Sequence, residues 1–216
     1  MRGIAFIGGE GPDCGSLREI ARGADLIVAA DSGLVLCENA GLAPDWIMGD
    51  MDSLDDSARL KKYPAEKILR SPAEKDFTDT ELALIFLKEK GCDEIWLSGG
   101  GGGRLDHLFA IRALFERDHP PDRWFPGNEE IRCLKAESAL GATLPPGSVV
   151  SLFPLGSGPW EAESTGLKWP LNGLAWERGS AWISNVAVEG PFEIRAVRGR
   201  FMIIMPMLFG CGEKKK

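Results

Sequence analysis

Apolar residues in the first two thirds of the chain fall into short unbroken runs, each closed by glycine or a polar turn. Residues 4–7 (Ile-Ala-Phe-Ile) end in Gly8-Gly9 and residues 26–30 (Leu-Ile-Val-Ala-Ala) in Asp31-Ser32-Gly33. Residues 46–48 (Trp-Ile-Met) end in Gly49-Asp50, and residues 94–98 (Glu-Ile-Trp-Leu-Ser) in five successive glycines. Runs without polar alternation read as strands buried on both faces. Between them the spacing becomes helical. Residues 16–22 predict a helix with Ser16 as N-cap and Glu19 completing a capping box, and residues 34–40 predict a second, stopped by Gly41. Leu82, Leu84, Ile85 and Leu87 predict a third, beginning near Asp76 or Thr78, which places Asp76 and Asp79 in its first turn. A fourth begins near Leu105 and is ended by Asp118-His119-Pro120-Pro121-Asp122. Strands alternating with helices at this spacing predict a parallel sheet with crossover helices.

The pattern then changes. Residues 124–139 predict one or two strands, and Pro145-Pro146-Gly147 marks a boundary. Beyond it, strand-like runs at 149–153, 166–169, 181–185, 192–197 and 201–205 are separated by Gly, Pro or Asn, with no helical spacing. Short strands with turn signals predict an antiparallel sandwich. The expected fold is therefore α/β: an N-terminal, mostly parallel α/β sandwich domain over residues 1–142, followed by a small C-terminal antiparallel β-sandwich over 143–216.

Composition narrows the function. With 25 basic and 32 acidic residues the formal charge is -7, so a polyanion approaches against the overall field. A phosphate substrate then needs a metal and a local basic group. No basic stripe suggests nucleic acid, and Lys214-Lys215-Lys216 reads as a solvated tail. The five cysteines are widely spaced without a Cys-x-x-Cys pair, which predicts reduced thiols and a cytoplasmic location. Residues 1–7 lack the apolar core of a signal peptide, and no run approaches the ~18 apolar residues of a membrane span.

The candidate chemistry sits at the predicted strand ends, where open α/β sheets bind ligands. Asp31, Asp50 and Asp52 all fall there. In extended backbone positions i and i+2 point the same way, so Asp50 and Asp52 form a seat for a divalent cation, or else a polar turn. Hard oxygen donors suit Mg2+ shared with substrate phosphates. Asp76, Thr78 and Asp79 serve a metal or cap a helix, and Lys75 is a phosphate contact or a surface residue. The glycine run 99–103 is a linker, or a loop whose backbone N–H groups approach phosphate, with Arg104 as the charged clamp. His107 either packs on its helix or meets ligand. Gly9-Glu10-Gly11 has Cys14 where the third glycine of a dinucleotide fingerprint belongs, and no Gly-Lys-Ser/Thr follows.

Taken in order, Ala30-Asp31-Ser32-Gly33, residues 44–53, Asp76-Phe77-Thr78-Asp79, Gly103-Arg104-Leu105-Asp106-His107, Ser151-Leu152-Phe153-Pro154, residues 165–171 and Ser184-Asn185 resemble the thiamine pyrophosphokinase (thiamin diphosphokinase) family across nearly the whole chain. Met51 stands where the family often has phenylalanine and Ser32 where glycine is common; neither removes a ligand. The resemblance implies transfer of the pyrophosphoryl group of ATP to thiamine, giving thiamine diphosphate and AMP. It implies that Asp50, Asp52 and Asp79 hold Mg2+ and act in catalysis with Lys75. Asp31, Gly101, Gly102, Gly103, Arg104, Asp106 and His107 are implied on the nucleotide side. Thr165, Trp169, Ser184 and Asn185 are implied on thiamine, where Trp169 either stacks on the cationic thiazolium or packs in a core. The first domain then binds nucleotide and metal and the second thiamine, with ATP and thiamine as the small-molecule partners. A homodimer with its active site at the subunit interface follows from the same resemblance. The alternatives are a pyrophosphokinase for another alcohol, such as a hydroxymethylpterin, and a non-catalytic thiamine or nucleotide sensor.

Overall fold

The computed structural model describes residues 1–51, 57–71 and 76–208. Asp52, Lys75 and Cys211 lie outside the described residues. Contacts divide the rest into two compact units, Met1–Leu114 with Arg123–Asn128, and Phe115–Asp122 with Glu129–Leu208.

The first unit runs β1 (Arg2–Phe6), α1 (Cys14–Ala21), β2 (Leu26–Ala30), α2 (Gly33–Asn39), β3 (Trp46–Gly49), α3 (Ser57–Leu60), β4 (Ile68–Arg70), α4 (Asp79–Glu89), β5 (Glu94–Ser98), α5 (Leu105–Leu114) and β6 (Arg123–Phe125). The strands lie in the order β4-β3-β2-β1-β5-β6 and every pairing is parallel. The chain adds strands outward from β1 to β4, then returns to the other side of β1, so the topological switch lies between β1 and β5. Ile4, Phe6, Val28 and Leu97 are fully buried, as a parallel sheet covered by helices requires. Helices α2 and α4 pack against β1 and β2.

Local chemistry sets two helix starts, one of them away from where the sequence puts it. Helix α1 begins at Cys14, because the Asp13 carboxylate accepts from the amides of Gly15 at 2.8 Å and Ser16 at 3.1 Å. Ser16, expected as the cap, is buried inside the helix and donates its hydroxyl to Asp13 at 2.6 Å. These bonds hold the Asp13 carboxyl below its ordinary range. Helix α4 begins at Asp79 with Thr78 as N-cap and a reciprocal capping box to Glu81. Asp76 therefore precedes the cap and is exposed. Helix α5 ends at Leu114, short of the 118–122 stop.

The second unit contains β7 (Glu129–Leu134), β8 (Ser138–Thr143), β9 (Val149–Leu155), β10 (Glu161–Thr165), β11 (Trp182–Val186), β12 (Pro191–Arg198) and β13 (Arg200–Pro206). One sheet has the order β7-β13-β9-β11 and the other β10-β12-β8, all antiparallel. Their inner faces share a core that includes Leu152, Phe192, Ile194, Phe201 and Ile203. The run at 166–169 is not a strand; only Leu167 bridges to Ala187. The strand there is β10, whose inward Ala162 and Ser164 carry too little apolar signal for alternation to stand out.

The four described cysteines, Cys14, Cys37, Cys92 and Cys133, are free. Among the described residues no helix is long and apolar enough to cross a membrane.

Candidate active site

Strand β2 delivers Asp31 into a left-handed conformation, φ 47°, a region that aspartate tolerates better than bulkier side chains. Its amide donates to the Met48 carbonyl at 2.9 Å, which ties the end of β2 to β3. Strand β3 ends at Gly49, φ 139°. A Cβ at Gly49 would lie 1.8 Å from Asp31 Oδ1, so the carboxylate occupies space that only glycine leaves. Met51 follows at φ 66°, and its amide points at Asp31 Oδ1 from 3.4 Å.

The third carboxylate comes from the start of α4. Asp79 accepts from the Ser71 hydroxyl at 3.1 Å, and the Ser71 amide donates to the Gly49 carbonyl at 3.1 Å. Asp31, Asp50 and Asp79 each offer an oxygen within 4.8 Å of the others, and all three are half-buried. Crowded acids resist ionisation: burial first, then the hydrogen bond and charge of Asp79 and the charge of Asp50, push Asp31 up to about 7. Three hard oxygen donors whose repulsion a cation would relieve fit a divalent metal such as Mg2+.

Asp50 is thus in a carboxylate cluster. The extended backbone of β3 stops at Gly49, before it; Asp52, its expected partner, lies outside the described residues. Asp31 joins this cluster. Ser71 went unnoticed; its only sequence signal is its position just past a strand end, where ligands gather.

The glycine loop joins β5 to α5. Gly99, Gly100 and Gly101 are buried, and their amides donate to Phe125, Gly8 and Glu10 carbonyls at 3.0, 2.9 and 2.8 Å. A Cβ on Gly101 would lie 1.9 Å from the Pro126 carbonyl oxygen. These glycines are therefore demanded by packing. Gly102 and Gly103 are exposed, each at φ 62°. Arg104 makes a two-point pair with Asp106 at 3.1 and 2.6 Å, in the open. The Arg104 hydrogen bonds hold the Asp106 carboxyl below its usual range. His107 is exposed and so does not pack on its helix.

In the second unit Thr165 ends β10, exposed. Trp169 is 48% exposed, so it is not a core residue. Lys168 Nζ lies 4.6 Å from the centroid of its ring, and that ring therefore presents a face to a cation. Ser184 is exposed at φ 62°, within an irregularity of β11, and Asn185 is buried.

Comparison with known proteins places both units. Residues 17–120 match the family model described as thiamin pyrophosphokinase, catalytic domain, and residues 130–199 match thiamin pyrophosphokinase, vitamin B1 binding domain. A thiamine pyrophosphokinase of Bacillus subtilis is 30% identical over 192 residues, covering 83% of this chain and 86% of the relative. Its fold agrees with crystal structures of thiamine pyrophosphokinase from B. subtilis (TM-score 0.77, 25% identity, 95% of this chain and 99% of that one) and Geobacillus thermodenitrificans (0.74, 28%, 98% and 100%). The Candida albicans structure, at 19% identity, shares the fold with a TM-score of 0.72 over 95% of this chain and 90% of its own.

Proposed function

The chain belongs to the thiamine pyrophosphokinase family, and from that premise we infer that it is a thiamine diphosphokinase, making thiamine diphosphate from thiamine with ATP as co-substrate. The hydroxyethyl oxygen of thiamine attacks the β-phosphorus of ATP. The new O–P bond forms as the bond from that phosphorus to the bridging oxygen breaks, AMP leaves with the electron pair, and the alcohol proton passes to a base. Such transfers need positioning and charge stabilisation more than covalent catalysis.

The observation that carries the reading is the meeting of Asp31, Asp50 and Asp79 at the ends of the parallel strands. Asp50, Asp79 and Asp52 would hold Mg2+ in this proposal, and the ion would supply positive charge against the phosphates. Asp31 borders the same pocket of charge, and Lys75 contacts the transferring group. The Gly101 amide is already engaged by Glu10, so the phosphate-facing amides are those of Gly102 and Gly103. Arg104 exchanges Asp106 for phosphate; an exposed pair adds little net stability, and a phosphate offers the same two-point geometry with more charge. His107 stands on the same exposed first turn of α5. Trp169 receives the thiazolium, with Thr165 and Ser184 as polar contacts and Asn185 in the same segment. A cytoplasmic homodimer, in which one subunit's second unit completes the partner's first, belongs to this proposal.

The test is to incubate the protein with ATP, Mg2+ and thiamine and to follow AMP and thiamine diphosphate together. Equimolar formation of both, lost in Asp50→Asn and Asp79→Asn, is the expected result. AMP formation that depended on a hydroxymethylpterin instead of thiamine would overturn it. The vitamin B1 binding match over residues 130–199 does not favour that alternative, and the catalytic-domain match over residues 17–120 does not favour a sensor.

A further inference from the structure

Asn185 stands apart from the other residues associated with thiamine. It is 3% exposed, whereas Thr165, Trp169 and Ser184 all reach the surface. Its carboxamide is turned into the chain. Oδ1 accepts from the amide of Trp169 at 3.1 Å and from the amide of Val186 at 2.8 Å. Nδ2 donates to the carbonyl of Trp169 at 2.7 Å. One side chain thus pairs with both backbone groups of a single residue, as a neighbouring strand would. The pairing continues the contact between residues 167–169 and the end of β11: the Lys168 amide donates to the Val186 carbonyl at 2.8 Å and Leu167 bridges to Ala187. Without Asn185 the backbone N–H and C=O of Trp169 lose these partners, and the base of an exposed indole ring loses its anchor.

We propose that Asn185 is a positioning residue for thiamine, fixing the backbone that carries Trp169 and acting on the substrate only through that ring. The proposal rests on the reading of Trp169 as the thiamine platform. A flat cation gains from an aromatic face only when the face is held at the right angle and height. The backbone clamp supplies that hold, while the ring stays 48% exposed with Lys168 Nζ 4.6 Å from its centroid. A direct contact demands the opposite arrangement, with an amide atom free and facing outward.

The experiment measures KM for thiamine and kcat at saturating thiamine for Trp169→Ala, Asn185→Ala, the double variant and Asn185→Asp, each against the wild type. Trp169→Ala is expected to raise KM roughly ten-fold, and Asn185→Ala to raise it severalfold with kcat largely kept. In the Trp169→Ala background, removing Asn185 should cost nothing further. A full additional rise there means a contact independent of the ring and overturns the proposal. If Trp169→Ala leaves KM unchanged, the platform reading itself fails, and the proposal falls with it for that separate reason. Asn185→Asp covers the case in which the alanine variant does not fold. An ionised carboxylate opposes the Trp169 carbonyl, whereas a protonated one donates to it as the amide does. The KM ratio of Asn185→Asp to wild type should therefore fall as pH is lowered from 8 to 5. A residue touching the thiazolium directly gives the reverse trend, because the carboxylate attracts the cation, and that result overturns the proposal.

Discussion

Three aspartates facing one another within 4.8 Å repel, and the chain meets this with the Met51 amide, the Ser71 hydroxyl and a proton on Asp31. Asp31 holds that proton up to about pH 7, chiefly because burial disfavours its charge. Unfolded, the same group releases its proton near 3.8. Between those values the folded state binds more protons than the unfolded one, so stability falls as pH rises. In chelator-treated protein the melting temperature contributed by this group should drop from about pH 4 to about pH 7 and level off above, and Asp31→Asn should flatten that slope. An unchanged slope in the variant would remove Asp31 as its source. Ser71 supports a second prediction. Its hydroxyl orients Asp79, so Ser71→Ala should raise the half-saturating Mg2+ concentration severalfold while Ser71→Thr restores it. Turnover assayed across a Mg2+ series decides this, since a loss of fold alone would lower the plateau without moving the midpoint.

At the scale of elements, the sequence located β2 and β5 to the residue, because unbroken apolar runs bounded by turn residues leave little choice. Helix starts were harder, since several polar residues near each start could serve as the cap. At α1 the choice went to Asp13, whose charged carboxylate takes two amides and a hydroxyl where Ser16 could take one. At α4 the capping box is made by Thr78 and Glu81, and Asp79, the first helical residue, joins the cluster. Thr78→Ala should cost about 1 kcal/mol of stability, read as a lower denaturant midpoint. The glycine run between β5 and α5 was legible as a ligand loop or a linker, but not as a packed crossing. Gly101→Ala places a Cβ 1.9 Å from backbone oxygen, so it should unfold or strongly destabilise the protein in thermal melts, whereas Gly103→Ala meets nothing within 4 Å and should bear mainly the strain of its left-handed φ.

At the scale of the molecule, the chain forms two compact units, Met1–Leu114 with Arg123–Asn128 and Phe115–Asp122 with Glu129–Leu208, while the family models match residues 17–120 and 130–199. Strand β10 escaped because an edge strand facing a core on one side can bury as little as alanine and serine. The proposed dimer makes a prediction at this scale. If one subunit's carboxylates work with the partner's Trp169, mixing Asp50→Asn with Trp169→Ala should restore activity at low thiamine. A random mixture forms mixed dimers carrying one intact site each, which gives about a quarter of wild-type turnover. No recovery on mixing, with subunit exchange verified, would place each site within one chain.

Hydrophobic runs and turn residues determined by themselves that this chain has an α/β unit and a β-sandwich, because those signals are local and each survives without knowledge of its neighbours, and the ordered motifs carried the family resemblance that implied a pyrophosphokinase. Which carboxylates meet was decided only by tertiary structure. Asp31, Asp50 and Asp79 stand far apart along the chain, and they converge because β2 and β3 pair in parallel while α4 begins beside their ends. The same is true of Asn185: the family resemblance implies a ligand contact, and only the fold of residues 166–187 turns its amide inward onto Trp169.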